Sequence, residues 1–246
     1  MRERVEVVEL AGRGPRVLLL PGLGARGTGF RALAAALSTR ARPVLVDYPE
    51  GARAAVGAGE LAREVAGAAG AFDAVIASSF GGMVAAHLAS GGAVRGVAFL
   101  GSFTALAQLG LRGRIVSAMG PIATVGRPGI VAASLAAAAL VRPIDVAEIV
   151  PTTFDERQSV WHRAFALEKE APPPPLAEQR LACIALHGAR DVLVPVAVLL
   201  RLAAALPPGT PLHVLPEAGH VPYFTHAADC ARLLSPWLAA VAAARA

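Results

Sequence analysis

The chain has 246 residues, of which 55% are hydrophobic and only 17% charged. That composition supplies a large buried core and excludes a disordered chain, and the length fits one domain with an insertion. The formal charge is +5 with a pI near 10.2. Lys169 is the only lysine, however, and the arginines are scattered, with no basic run interleaved with aromatics, so nucleic-acid binding is set aside.

Residues Met1 to Leu10 alternate charged and apolar side chains and lack the apolar block of a secretion signal, so a cytoplasmic protein is the expectation. Short branched runs then alternate with helical patterns, which predicts a mostly parallel α/β sheet covered on both faces. In chain order the reading is strand Val5–Leu10, strand Arg16–Leu20, helix Thr28–Ser38, strand Val44–Asp47, helix Gly59–Gly70 and strand Ala74–Ser78. Helix Gly81–Ser90 and strand Val94–Leu100 follow.

The rhythm then fails. From Phe103 to Pro175 the pattern is apolar helical pieces broken by Gly110, Pro121, Pro128, Pro143 and Pro151, closing on the stiff tether Pro172 to Pro175. The apolar stretch Ile115 to Val141 is interrupted by Gly120, Pro121, Gly126, Pro128 and Gly129. Neither half reaches the ~20 residues of a spanning helix. Residues 103–175 therefore read as a helical cap inserted into a core formed by 1–102 and 176–246. The core resumes with strand Ala182–His187, helix Val196–Leu206, strand Leu212–Leu215 and helix Ala227–Ala243.

The segment Ala74-Val75-Ile76-Ala77-Ser78-Ser79-Phe80-Gly81-Gly82 runs an apolar strand into a glycine pair and a helix. A sharp strand-to-helix reversal needs small residues two before and two after its apex, and it holds the apex serine in a strained conformation with its hydroxyl exposed. With Ser79 as apex the flanks are Ala77 and Gly81. With Ser78 they would be Ile76 and Phe80, which are too large. Ser79 is the candidate nucleophile.

Acyl transfer needs two backbone donors aimed at the developing oxyanion. The residue after the nucleophile, Phe80, offers one N–H. Leu23, in the loop Pro21-Gly22-Leu23-Gly24 that ends the second strand, offers the other. After the tether, His187-Gly188-Ala189-Arg190-Asp191 places an acid beyond a strand's end, and Gly219-His220 follows the last strand. Ser79, Asp191 and His220 thus fall in the order, and at the sheet edge, that a nucleophile–acid–base triad requires.

His226 is the rival base, since it shares a loop with His220. His87 and His187 read as packed, and His213 as lying at the wrong end of its strand. Asp145, Asp155 and Asp229 fall in helical contexts and suit capping. His162 in the cap reads as a solvated side chain or a candidate substrate contact, and Ser78 and Val221 are further candidate substrate contacts. Cys183 and Cys230 are too few for a disulfide framework, have no metal-ligand spacing and read as buried thiols. No metal or nucleotide motif is present, so no cofactor is inferred.

With these residues assembled, the chain resembles the α/β-hydrolase superfamily across nearly its whole length. The resemblance rests on Leu20-Pro21-Gly22-Leu23-Gly24, Ser79-Phe80-Gly81-Gly82, Gly188-Ala189-Arg190-Asp191 with Val194-Pro195, and Gly219-His220. It implies the α/β-hydrolase fold and hydrolysis of a carboxylic ester through an acyl-enzyme on Ser79. Asp191-Val192-Leu193-Val194-Pro195 and His220-Val221-Pro222-Tyr223-Phe224-Thr225-His226 also look like the biotin-pathway esterases that cleave pimeloyl-carrier-protein methyl ester. The chain departs from them at Pro21-Gly22-Leu23, where they carry His-Gly-Trp, and at Ser78, where they carry Trp. That resemblance implies either a small-molecule ester or an acyl-carrier-bound substrate, the acidic carrier docking on arginines such as Arg112, Arg114, Arg142, Arg157 and Arg163. It leaves the oligomeric state open. Thioesterase, lactonase, and biosynthetic cyclase or acyltransferase chemistry would use the same triad. A non-catalytic ligand-binding member of the fold is a further alternative.

Overall fold

The computed structural model describes residues 4–50, 56–92, 94–110, 173 and 175–244. The core is a seven-stranded sheet in the order β1-β3-β2-β4-β5-β6-β7. Its strands are β1 (Glu6–Glu9), β2 (Arg16–Leu20), β3 (Arg42–Asp47), β4 (Ala74–Ser78), β5 (Gly96–Leu100), β6 (Ala182–Gly188) and β7 (Leu212–Leu215). Only β1 runs antiparallel, against β3; every other pairing is parallel.

The sheet's two faces explain the sequence pattern. Leu18, Leu20, Val75, Ala77, Val97, Phe99 and Ala185 turn to one side. There they meet α2 (Ala58–Ala69), α3 (Gly81–Ser90) and α4 (Ala197–Ala203). Val17, Leu19, Ala74, Ile76, Ala98, Leu100, Ile184 and Leu186 turn to the other, against α1 (Arg31–Leu37) and α6 (Ala227–Ala243). Between β7 and α6 lies the short helix α5 (Pro222–Thr225). Because both faces are covered, the central strands are continuous apolar runs rather than alternating ones. Phe30 and Tyr223 stack with ring centroids 4.0 Å apart, and the Trp237 indole N–H donates to the Ala182 carbonyl at 2.7 Å. The first joins the turn before α1 to α5, and the second ties α6 to β6.

Register sets the function-bearing edge. Leu20 pairs with Ala77, Ser78 with Leu100, Leu100 with Leu186, and Gly188 with Leu215. The loops after β2, β4, β5, β6 and β7 therefore leave one edge at nearly one level. In open α/β sheets that carboxyl edge is where ligands bind.

Of the expected cap, residues 103–175, the structure describes 103–110, with a 3-10 turn at Leu106–Leu109, together with 173 and 175; a second 3-10 turn, Leu176–Glu178, begins the core segment that follows. The rest of the cap, including His162 and the five arginines named above, lies outside the described residues. Among the described residues no helix is long and apolar enough to cross a membrane.

Candidate active site

Ser79 stands between β4 and α3 with φ of +50°, the only positive φ among the described non-glycine residues. Such a conformation costs on the order of 1–3 kcal/mol and persists only where the surroundings impose it. Here the Ser79 N–H lies 3.4 Å from the Leu100 carbonyl, and its own carbonyl accepts from Gly82 N at 3.0 Å and from the Ser102 hydroxyl at 2.6 Å. A small residue at position 81 is needed for a reason other than contact with Ala77. A Cβ there would sit 2.6 Å from the Leu20 carbonyl oxygen and 2.8 Å from that of Pro21. The turn is thus wedged against the end of β2.

The β2 loop lies directly on the Ser79 turn. A Cβ at Gly22 would stand 3.0 Å from Ser79 Cβ and 3.6 Å from its Oγ. Leu23 and Gly24 form the middle of a tight turn closed by Ala25 N to the Gly22 carbonyl at 3.2 Å, with Gly24 at φ +72°. Among the described residues no backbone hydrogen bond uses the Leu23 N–H. Phe80 sits at the mouth of α3, with its ring edge-on to Tyr48 at 5.8 Å.

The loops that carry Asp191 and His220 are zipped together. Ala189 N donates to the Leu215 carbonyl at 2.9 Å and Arg190 N to the Ala218 carbonyl at 3.0 Å. Arg190 and Glu217 add an exposed ion pair. Asp191 is buried, and its Oδ1 accepts from Leu193 N at 3.0 Å and Val194 N at 2.8 Å, a turn that locks the carboxylate's orientation. Its Oδ2 lies 2.8 Å from His220 Nδ1. A carboxylate only accepts, so Nδ1 carries the proton and Nε2 is left with its lone pair. The contact fixes the ring against Asp191, with the His220 side chain 9% exposed.

Gly101 joins this pair to the Ser79 side. It follows Leu100, whose carbonyl faces Ser79 N, and it adopts φ +52°. A Cβ there would lie 3.0 Å from the His220 carbonyl oxygen, 3.2 Å from Asp191 Oδ2 and 3.6 Å from His220 Nδ1. One turn thus borders both Ser79 and the Asp191–His220 pair. The Ser79 hydroxyl itself makes no hydrogen bond among the described residues.

The other histidines separate cleanly. His226, the rival base, bonds through Nδ1 to Thr225 Oγ1 at 2.8 Å and has no ion pair with Asp191. His187 is fully buried on β6. Its Nε2 lies 2.7 Å from the Val194 carbonyl, so that nitrogen carries the proton, and 3.6 Å from Asp191 Oδ2. Burial, the largest influence, lowers its pKa and keeps it neutral. Through Val194 it holds the turn that carries Asp191. His213 is half-buried near the start of β7.

Two expected substrate contacts lie inside the fold. Ser78 is 1% exposed and faces α5, where its hydroxyl bonds with that of buried Tyr223. Val221 is buried in the same apolar cluster. Cys183 and Cys230 are buried free thiols on opposite faces of the sheet, and burial pushes each pKa up to about 12. Among the described residues no three His, Cys, Asp or Glu side chains cluster as a metal site. Sequence reasoning missed Gly101 and Ser102. Their only signal was a glycine and a serine directly after a strand that ends at the site's edge.

The profile of the alpha/beta hydrolase family matches residues 17–233. Among solved structures, an esterase from Exiguobacterium antarcticum superposes with a TM-score of 0.80 at 17% identity, over 96% of this chain and 95% of its own. A thermophilic esterase from Thermogutta terrifontis gives 0.73 at 18% identity, over 97% and 94%. The esterase RhEst1 from a Rhodococcus species gives 0.75 at 19%, over 96% and 95%. At such identities the likeness is one of fold. A 46-residue stretch, 19% of this chain, is 50% identical to part of the polyketide synthase ThaQ of Burkholderia thailandensis, and the match spans 2% of that protein.

Proposed function

The chain belongs to the alpha/beta hydrolase family, and from that premise we propose that it is a serine esterase cleaving a carboxylic ester with an apolar acyl group. The observation that carries this reading is the buried His220 Nδ1–Asp191 Oδ2 contact of 2.8 Å beside the strained turn of Ser79. In the proposed cycle His220 Nε2 takes the Ser79 proton as Oγ attacks the ester carbonyl. Asp191 stabilises the resulting imidazolium without itself taking the proton. The Leu23 and Phe80 N–H groups receive the oxyanion. His220 returns its proton to the leaving alkoxide, and water repeats the sequence on the acyl-enzyme to release the acid.

The apolar composition of residues 103–175 supports the substrate class, because apolar walls favour apolar ligands and exclude water. The pimeloyl-carrier-protein methyl ester is the specific substrate that the sequence resemblance suggests. Within this proposal Ser79, Asp191 and His220 are catalytic, and His162 is a substrate contact from the cap. Turnover of an aryl ester by the wild type and by Ser79→Ala is the test, with fluorophosphonate labelling alongside. Loss of both in the variant is expected; equal turnover by the two proteins refutes the reading. A second reading, acyl transfer or thioester cleavage at the same serine, draws on the local likeness to a polyketide synthase. Product analysis with and without an added nucleophile separates transfer from hydrolysis.

A further inference from the structure

Ser102 follows β5 at the edge that carries the site, yet its side chain turns inward and the residue is 1% exposed. Its hydroxyl donates to the Ser79 carbonyl at 2.6 Å, the same oxygen that accepts from Gly82 N at 3.0 Å. The direction is fixed by chemistry, since a carbonyl can only accept. That carbonyl and the Phe80 N–H are opposite ends of one planar trans peptide. Whatever fixes the direction of one therefore fixes the other.

We propose that Ser102 is a positioning residue of the oxyanion site. By clamping the Ser79 carbonyl it aims the Phe80 N–H at the oxygen of the tetrahedral intermediate, and so it rests on the serine-hydrolase reading above. The clamp is needed because this peptide follows a residue at φ +50°, where the chain is strained and the peptide plane would otherwise relax by rotation. The hydroxyl also polarises the peptide it binds, which strengthens the N–H at the far end as a donor. Gly82 gives independent support. A Cβ at that position would fall on Ser102 Oγ and crowd the Phe103 carbonyl oxygen, so the glycine leaves the space that the clamp occupies.

The test uses Ser102→Ala, and Ser102→Cys, which nearly keeps the volume but donates poorly, so that the cavity left by alanine does not decide the outcome. With an aryl ester, kcat falls about tenfold in both variants, the loss of roughly one neutral hydrogen bond, while KM stays within about twofold. Affinity for a trifluoromethyl ketone, which forms a tetrahedral adduct on the serine, falls by the same factor as kcat/KM. A merely structural role would lower the unfolding temperature without this selective loss. Wild-type kcat and ketone affinity in folded variants overturn the proposal, as does a loss confined to KM. A wild type that neither turns over ester nor labels with fluorophosphonate refutes the hydrolase reading instead. In that case amide NMR still reports on the clamp. Ser102→Ala then shifts and broadens the amide resonances of Phe80 and of Gly82, whose N–H shares the Ser79 carbonyl, more than those of the rest of α3, and an unchanged Phe80 resonance overturns the proposal.

Discussion

Replacing Asp191 by asparagine isolates the electrostatic part of the acid's role from its scaffolding part. Oδ1 accepts from Leu193 N and Val194 N, and Oδ2 faces His220 Nδ1. An asparagine carbonyl can keep both backbone bonds, which turns its NH2 toward His220. The imidazole must then accept at Nδ1 and carry its proton on Nε2, the tautomer that cannot take a proton from Ser79. The same change in chymotrypsin-type proteases costs about 10⁴ in kcat, or about 5.5 kcal/mol at 1.36 kcal/mol per decade, and a loss of that order is expected here. Stability should move little. The two backbone bonds change from charged to neutral acceptors, worth about 1 kcal/mol, or roughly 2–4 °C in Tm for a chain of this size. Asp191→Ala instead leaves the buried Val194 N–H and the part-buried Leu193 N–H unpaired, at about 1–3 kcal/mol for the buried one and less for the other. Its Tm should fall at least twice as far. Aryl-ester kinetics at neutral pH and thermal unfolding of both variants decide the matter. A kcat within tenfold of wild type for Asp191→Asn refutes the catalytic assignment. Equal destabilisation by asparagine and alanine refutes the division of labour between the two oxygens.

Gly101→Ala should fold, with a penalty of about 1–2 kcal/mol for a side chain at φ +52°. Its kcat/KM should drop by about 10- to 100-fold, as Cβ pushes on Asp191 Oδ2 and the His220 carbonyl; unaltered kinetics would remove this turn from the site. Burial holds the folded His187 pKa below the ordinary 6.5, so below that pH the unfolded chain binds a proton that the native state refuses. Stability is flat above about pH 6.5 and falls below it, by at most about 1.4 kcal/mol per pH unit from this group, until the lowered folded pKa is reached. Urea unfolding between pH 5 and 7.5 should show a shallower slope in His187→Phe, and an identical slope in both proteins would sink the account.

The sheet was legible because burial on both faces leaves an unbroken apolar signature. Strands Ala74–Ser78 and Leu212–Leu215 and helices Gly81–Ser90 and Ala227–Ala243 have the boundaries that the pattern predicts. Boundaries moved where a distant partner, rather than local pattern, sets them. β3 begins at Arg42, two residues before its branched run, because Arg42 pairs with Arg16 of β2. The expected helix from Thr28 opens as a 3-10 turn, Gly27–Phe30, whose first N–H is taken by Asp47 Oδ1 at 2.8 Å. At the site, the order of Ser79, Asp191 and His220 could be read because each residue carries its chemistry in its own side chain. The flank rule also chose Ser79 over Ser78, although the force behind Gly81 proved to be the β2 carbonyls.

Gly101 and Ser102 escaped notice for a physical reason. Neither carries an unusual functional group, and each matters through atoms more than 20 residues away in sequence: Ser79 for Ser102, and Asp191 and His220 for Gly101. Yet the two adjacent residues hold opposite halves of the site. Ser102 grips the peptide that follows the nucleophile, and Gly101 leaves room for the acid–base pair to close against the same strand end. A shift at the end of β5 would therefore disturb the nucleophile turn and the imidazole together. Local repair of either half would not compensate, since both take their position from one backbone. A double substitution, Gly101→Ala with Ser102→Ala, should accordingly lose less activity than the product of the single losses, because the first change has already displaced the peptide on which the second acts.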